Sequence, residues 1–227
     1  MNVGIIVFPG TWSDRDCEFA LSFLKNVKSF FIWHKDSIPK NMDAIVLPGG
    51  FSHGDHLRAG AIAQFSPVMK DVSKFNREGR PIIGICNGFQ ILCESGILPG
   101  ALIRNKNLKF NCSFVNLKSS RSRKFTSLIP ENKILKIPIS HGEGNYQADN
   151  NTLNELLENN QIAFQYCTES GLVNNDSNPN GSLNNIAGIV NKSGNVLGMM
   201  PHPERSCSLD LGSEDGNLIF KSMIKSF

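Results

Sequence analysis

The sequence predicts a layered α/β fold: a mostly parallel central sheet flanked by helices, with a small antiparallel extension. Three observations carry this. Short apolar runs alternate with helical stretches through the first half of the chain, the runs are unbroken rather than alternating, and one of them ends in a glycine-framed cysteine turn that leads into a helix. Unbroken apolar strands are those of parallel sheets covered on both faces. At 227 residues the chain can bury a large core, and residues 1–227 are expected to form one domain.

Val3 to Phe8 is the opening strand, closed by Pro9-Gly10. Ser13 can cap a helix whose apolar positions include Cys17, Ala20, Leu21 and Leu24. Ser29 to Trp33 and Ala44 to Leu47 read as strands covered on both faces. Two helical stretches, 57–64 and 67–77, then lead to the strand Ile82 to Ile85 and the turn at Cys86. After Gly96 the rhythm changes. Short segments lie near 112–118 and 134–139, Leu153 to Asn159 reads as a helix and 162–166 as a strand; the polar stretch 174–185 has the composition of a disordered loop, but Asn180-Gly181 between apolar flanks is a type I′ hairpin signal. Ile186 to Val190, Val196 to Met199 and a last amphipathic helix over 215–224 complete the chain, in which no internal repeat is visible.

Composition narrows the function classes. The formal net charge is +3, and Arg121, Arg123 and Lys124 form the one notable basic cluster, which is no nucleic-acid footprint. Six cysteines without a C-x-x-C pair suit a reduced, cytoplasmic protein, and Cys17, Cys93, Cys112 and Cys167 read as small buried hydrophobes. The apolar start lacks the basic flank and cleavage site of an export signal, and no apolar run reaches membrane length.

The chemistry centres on Cys86 in G-I-C-N-G. Gly84 and Gly88 allow strand and helix to approach closely, which pushes the cysteine side chain outward, and a helix N-terminus favours the thiolate, the attacking species. A nucleophile needs a base that also protonates the leaving group, and a third group to orient that base. His202 and Glu204 in P-H-P-E offer both roles, because Pro203 biases the histidine to extended chain, where residues two apart share a side. The same letters also suit a proline-bounded surface turn. Pro48-Gly49-Gly50-Phe51 follows a predicted strand and so lies at the same sheet edge as Cys86. The backbone N–H groups of Gly49 and Gly50, with that of Asn87, can form an oxyanion hole. A glycine pair after a strand is equally a plain turn. His53, Asp55 and His56 lack further ligands at metal spacing and read as loop residues. No phosphate-binding glycine motif is present, so any nucleotide chemistry belongs to another chain.

Taken together, G-I-C-N-G-F-Q, the P-G-G loop and the late H-P-E resemble the triad class of glutamine amidotransferases. More narrowly, F-P-G at 8–10, G-G-F-S-H-G-D-H-L-R-A-G at 49–60, H-G-E-G-N-Y at 141–146, N-P-N-G-S at 178–182 and M-P-H-P-E-R at 200–205 resemble the family of amidotransferase subunits of phosphoribosylformylglycinamidine synthase. The departures are His53 and His56, where tyrosines are usual, and Thr11-Trp12 in place of a small polar pair. The resemblance implies a flavodoxin-like layered fold and a Cys86–His202–Glu204 triad. It also implies that Phe51, Gln90, His141 and Gly142 hold the amino-acid head group of glutamine. It further implies no metal or cofactor on this chain, with ATP and magnesium on a synthetase partner and a small third subunit beside it. Two other readings remain open: a stand-alone cysteine hydrolase of γ-glutamyl compounds, and a catalytically silent module of the same fold.

Overall fold

The computed structural model describes residues 1–120 and 124–227. In chain order the elements begin with β1 (Asn2–Val7), α1 (Asp14–Ser22), β2 (Lys28–Trp33) and β3 (Ala44–Leu47). There follow α2 (Val68–Arg77), β4 (Ile82–Ile85), α3 (Asn87–Glu94), β5 (Ala101–Ile103), β6 (Asn111–Ser119) and β7 (Ile134–His141). The chain ends with β8 (Asn145–Gln147), α4 (Asn150–Glu158), β9 (Ile162–Cys167), β10 (Ile186–Val190), β11 (Val196–Met199) and α5 (Gly216–Ser226).

Nine strands form one sheet in the order β2-β1-β3-β4-β11-β10-β9-β6-β7, and β5 pairs with β8 separately. The run from β2 to β11 is parallel, and from β10 onward each pairing is antiparallel. The two halves differ in sequence pattern for a physical reason. Every residue of β3, β4 and β11 is buried, because helices cover both faces there. On β7, by contrast, Leu135, Ile137, Ile139 and His141 are buried while the residues between them are half-buried or exposed, the period-two signature of a strand with one wet face.

One contact sets the centre of the molecule. Helix α3 crosses so close to the neighbouring strand that a Cβ on Gly88 would overlap the Leu47 carbonyl, and Gly84 and Gly88 are in similar mutual contact. All of α3 except Glu94 is buried.

Several sequence expectations need correction. Residues 57–64 are not a helix: Leu57 has φ 71° and Gly60 φ 81°, which no α-helix accommodates, and only a 3₁₀ turn at Ala63–Phe65 forms. Strand β2 is the sheet edge rather than a doubly covered strand, so Phe30, Phe31 and Trp33 are exposed and Ile32 alone is buried. Ser13 occupies the N-cap position of α1 without capping it, because its hydroxyl accepts from Arg205 Nη2 at 3.0 Å. Asn180-Gly181 is an ordered turn but no type I′ hairpin; only Gly181 has positive φ, and the amide of Asn180 is buried in hydrogen bonds to the Gly144 carbonyl and Tyr166. Cys112 is exposed. Of the basic cluster, Arg121 and Arg123 lie outside the described residues, and Lys124 stacks over Phe227 at 4.3 Å.

The Gly88 contact yields a stability prediction. Gly88→Ala forces α3 away from β3 and is expected to cost about 1–3 kcal/mol or more, a Tm fall on the order of 2–12 °C for a chain of this size. A thermal melt with unchanged Tm would show that the helix can move freely.

Candidate active site

Strands β3, β4 and β11 are parallel neighbours, so their carboxyl ends open on one edge of the sheet. Cys86 stands at the end of β4 with φ 50° and ψ −104°. Such backbone costs roughly 1–3 kcal/mol and persists only where the surroundings enforce it. Here its N–H donates to the Met199 carbonyl at 2.8 Å and its carbonyl accepts from Gln90 N at 3.1 Å, which locks both sides of the turn.

His202 follows β11 and lies over the glycine loop: a Cβ on Gly49 would stand 2.7 Å from the ring. Its Nδ1 bonds Glu204 Oε1 at 2.6 Å, and both side chains are almost wholly buried. The pair forms at the entry to a 3₁₀ turn, Pro203–Arg205, rather than in extended chain. Burial alone lowers the pKa of the imidazole, but the Glu204 carboxylate and the Cys86 sulfur outweigh it and push His202 up to about 10. An imidazolium beside the sulfur is the partner a thiolate nucleophile needs. The sulfur is close enough to bear on the ring's charge, yet the thiol points to the Ser140 carbonyl at 3.7 Å, and His202 Nε2 has no hydrogen bond among the described residues.

Gly49 and Gly50 follow β3 and Asn87 opens α3, the loop meeting it where Ser52 N donates to Asn87 Oδ1 at 3.1 Å, and the N–H groups of the three donate to no acceptor among the described residues. The loop is fixed from behind: Trp12 and Ser13 both donate to the Gly49 carbonyl at 3.1 Å, and Phe51 N donates to the Gly10 carbonyl at 2.8 Å. Gly50 has φ +152°, where residues with a side chain are strained.

Of the residues expected to hold a glutamine head group, Gln90 is buried with both ends in use. Its Nε2 donates to the Glu143 carbonyl at 2.7 Å and its Oε1 accepts from Asn87 Nδ2 at 2.9 Å. It ties α3 to the turn after β7. The carbonyls of His141 and Gly142 accept from Asn105 Nδ2 and Asn105 N, each at 2.9 Å. Phe51 is exposed and meets Trp12 edge-on at 6.4 Å and Phe110 at 6.5 Å.

The sequence reading left Asp55 as a plain loop residue and passed over Glu143 and Asn105 as site residues. Asp55 accepts from Asn87 Nδ2 at 3.3 Å, and burial together with the Glu143 carboxylate pushes it up to about 6. Glu143 itself and the fully buried Asn105 complete the set. Asp55 and Glu143 lie inside motifs that resemble the family's, whereas a lone asparagine carries no periodic signal. His53 packs edge-on against His34 at 5.3 Å and His56 is exposed. Among the described residues no three His, Cys, Asp or Glu side chains gather as metal ligands.

The arrangement can run nucleophilic acyl transfer: a sulfur, an acid–base imidazole held by a carboxylate, and free N–H donors. Glu204→Gln removes the charge that raises His202 and is expected to drop the imidazole's titration toward the neutral range. NMR of labelled histidine reads this directly, and a titration still near 10 would show another source.

The comparisons agree with the chemistry. The family pattern described as a CobB/CobQ-like glutamine amidotransferase domain matches residues 1–213. The chain is 54% identical over 227 residues, covering 100% of it and 97% of the relative, to phosphoribosylformylglycinamidine synthase subunit PurQ of Chlorobium chlorochromatii. It is 50% identical over 225 residues to the protein of the same name from Moorella thermoacetica, covering 99% and 95%. It superimposes on a chain of PurLQS from Thermotoga maritima with a TM-score of 0.86 at 35% identity, covering 99% and 97%. Fold, site chemistry and near-complete coverage lead to one conclusion: the chain belongs to the CobB/CobQ-like glutamine amidotransferase family.

Proposed function

We propose that this chain is the glutaminase subunit of a phosphoribosylformylglycinamidine synthase, supplying ammonia to purine biosynthesis. The observation that carries this is the strained Cys86 beside a buried His202–Glu204 pair, in a chain about half identical along its whole length to proteins of that name.

Cys86 Sγ attacks the side-chain amide carbon of glutamine, and the N–H groups of Gly49, Gly50 and Asn87 receive the oxyanion. The C–N bond breaks, and ammonia leaves with a proton from His202. Water, deprotonated by His202, then cleaves the γ-glutamyl thioester, releasing glutamate and restoring the thiol. Glu204 holds the imidazole in orientation and balances its charge throughout.

Ammonia passes to a synthetase subunit, which binds ATP and magnesium, with a small third subunit in the complex; this chain needs no cofactor of its own. The close match to a chain of the Thermotoga maritima PurLQS structure supports this assembly. The enzyme works in the cytoplasm, in keeping with the fact that no described helix is long and apolar enough to cross a membrane. The partner has a natural landing place. Trp12, Phe51 and Phe110 are 71%, 44% and 53% exposed and form a continuous aromatic rim, with Phe110 against Gly142 and Phe51 beside Gly50. Exposed aromatics of this kind dominate interface energetics.

Two measurements test the reading. In the reconstituted complex, Cys86→Ala should lower glutamine-dependent product formation on the order of 10³-fold or more while the ammonia-dependent reaction continues; a variant that still hydrolyses glutamine would sink the scheme. Trp12→Ala should weaken association with the synthetase by about 2 kcal/mol, roughly 30-fold in Kd, as read by calorimetry. Unchanged affinity would place the docking surface elsewhere.

A further inference from the structure

The site contains a second buried imidazole that the reaction above does not use. His141 ends β7, directly after the residue whose carbonyl meets the Cys86 thiol. Its Nδ1 lies 3.2 Å from Asn105 Oδ1, and its Nε2 is buried without a partner among the described residues. The contrast with His202 is one of partner chemistry: His202 faces a carboxylate and His141 faces a neutral amide.

Asn105 is wholly buried and its hydrogen bonds leave no freedom in how its amide is placed. Nδ2 donates to the carbonyls of Lys109 at 2.8 Å and His141 at 2.9 Å, so Oδ1 is the acceptor. Oδ1 receives Gly144 N at 3.0 Å and His141 Nδ1, which must then carry the ring proton. The backbone N–H of Asn105 holds the Gly142 carbonyl. A single residue thus ties down His141, Gly142 and Gly144 and selects one tautomer of His141.

We propose that Asn105 is a positioning residue for the glutaminase reaction: by offering His141 an amide oxygen in place of a carboxylate, it keeps that imidazole neutral and leaves His202 as the only charged one in the site. This rests on the reading under Proposed function. The charged group that bears on His141 is His202 on the turn after β11; Cys86 meets the preceding residue's carbonyl, and Glu143 on the same turn is paired with Arg104, beside Asn105, at 3.8 Å. Lys109 meets Asn105 through its carbonyl alone. None gives His141 a direct counter-ion. Burial and the nearby His202 hold it down to about 4, in agreement with the geometry. A second cation here would compete with His202 for the thiolate and would repel its imidazolium.

The test replaces Asn105 by its isostere. Asn105→Asp keeps the shape and both acceptor roles, gives up the two bonds donated to the Lys109 and His141 carbonyls, and sets a carboxylate against His141 Nδ1. In the full chain, NMR of labelled histidine should show His141 titrating well above the wild-type position. In the reconstituted complex, glutamine-dependent kcat of N105D should fall about tenfold or more at neutral pH and recover as the pH is raised, while the ammonia-dependent rate is unchanged. Adding His141→Asn, which keeps an N–H toward position 105 but cannot titrate, should return the wild-type pH profile. An unmoved His141 titration in N105D overturns the proposal, as does a moved titration with an unchanged rate profile, or a double variant that keeps the shifted profile. Absence of glutamine-dependent turnover in the wild-type complex would count against the functional reading instead, and the histidine titration is independent of that result.

Discussion

The structure depends on the contact between the first turn of α3 and the backbone of β3. With hydrogen at Gly88 in place of a side chain, the helix can rest on the Leu47 carbonyl. That proximity forces the chain to turn sharply at Cys86, which takes up φ 50°. The strain is held in place by ordinary backbone hydrogen bonds from β11 and α3. Everything reactive follows: the sulfur is pushed out at the carboxyl edge of the parallel strands, where the loops after β3 and β11 bring Gly49 and His202 to it.

Placement alone does not set reactivity; burial does. The His202–Glu204 pair lies out of water, where an ion pair without good geometry is unfavourable. At 2.6 Å and nearly shielded from solvent, the carboxylate is strong enough to reverse the effect of burial on the ring. The surrounding polar groups are less exposed to this hazard because most are amides. Asn87, Gln90, Asn105 and Asn180 bridge backbone carbonyls and one another, and a satisfied neutral network rigidifies a site without adding charge to it.

Much of the parallel half was legible in the sequence because its signals are local. Unbroken apolar runs mark strands that helices cover on both faces, and the glycines flanking Cys86 state a steric requirement. The pairing of His202 with Glu204 was legible because each residue type has a chemical reason to be present beside a cysteine. What escaped was decided by tertiary context. The stretch 57–64 has helical composition, but Leu57 and Gly60 take positive φ as the loop wraps the start of α3. Strand β2 reads like a core strand, yet nothing pairs with its outer edge among the described residues. The N-G pair at 180–181 is a hairpin signal in isolation, and the buried carbonyl of Gly144 captures it instead. The amide of Gln90 joins α3 to Glu143 and so holds that turn, a role no sequence signal announces.

The division of the sheet explains why the site needs both halves. The parallel strands supply Cys86, the His202–Glu204 pair and the glycine loop, all from adjacent carboxyl ends. They do not supply a wall opposite the sulfur. That wall is the end of β7 and the turn to Gly144, which belong to the antiparallel half and meet α3 through Gln90 and through the Ser140 carbonyl. The turn carries three glycine or polar residues after His141 and packs no apolar side chain of its own, so hydrophobic burial cannot hold its shape. Asn105 from one side, and Asn180 and Ser182 from the other, do so by hydrogen bonds. The turn is thereby built from oriented backbone, with its rigidity drawn from buried amides that stay uncharged at any pH the protein meets.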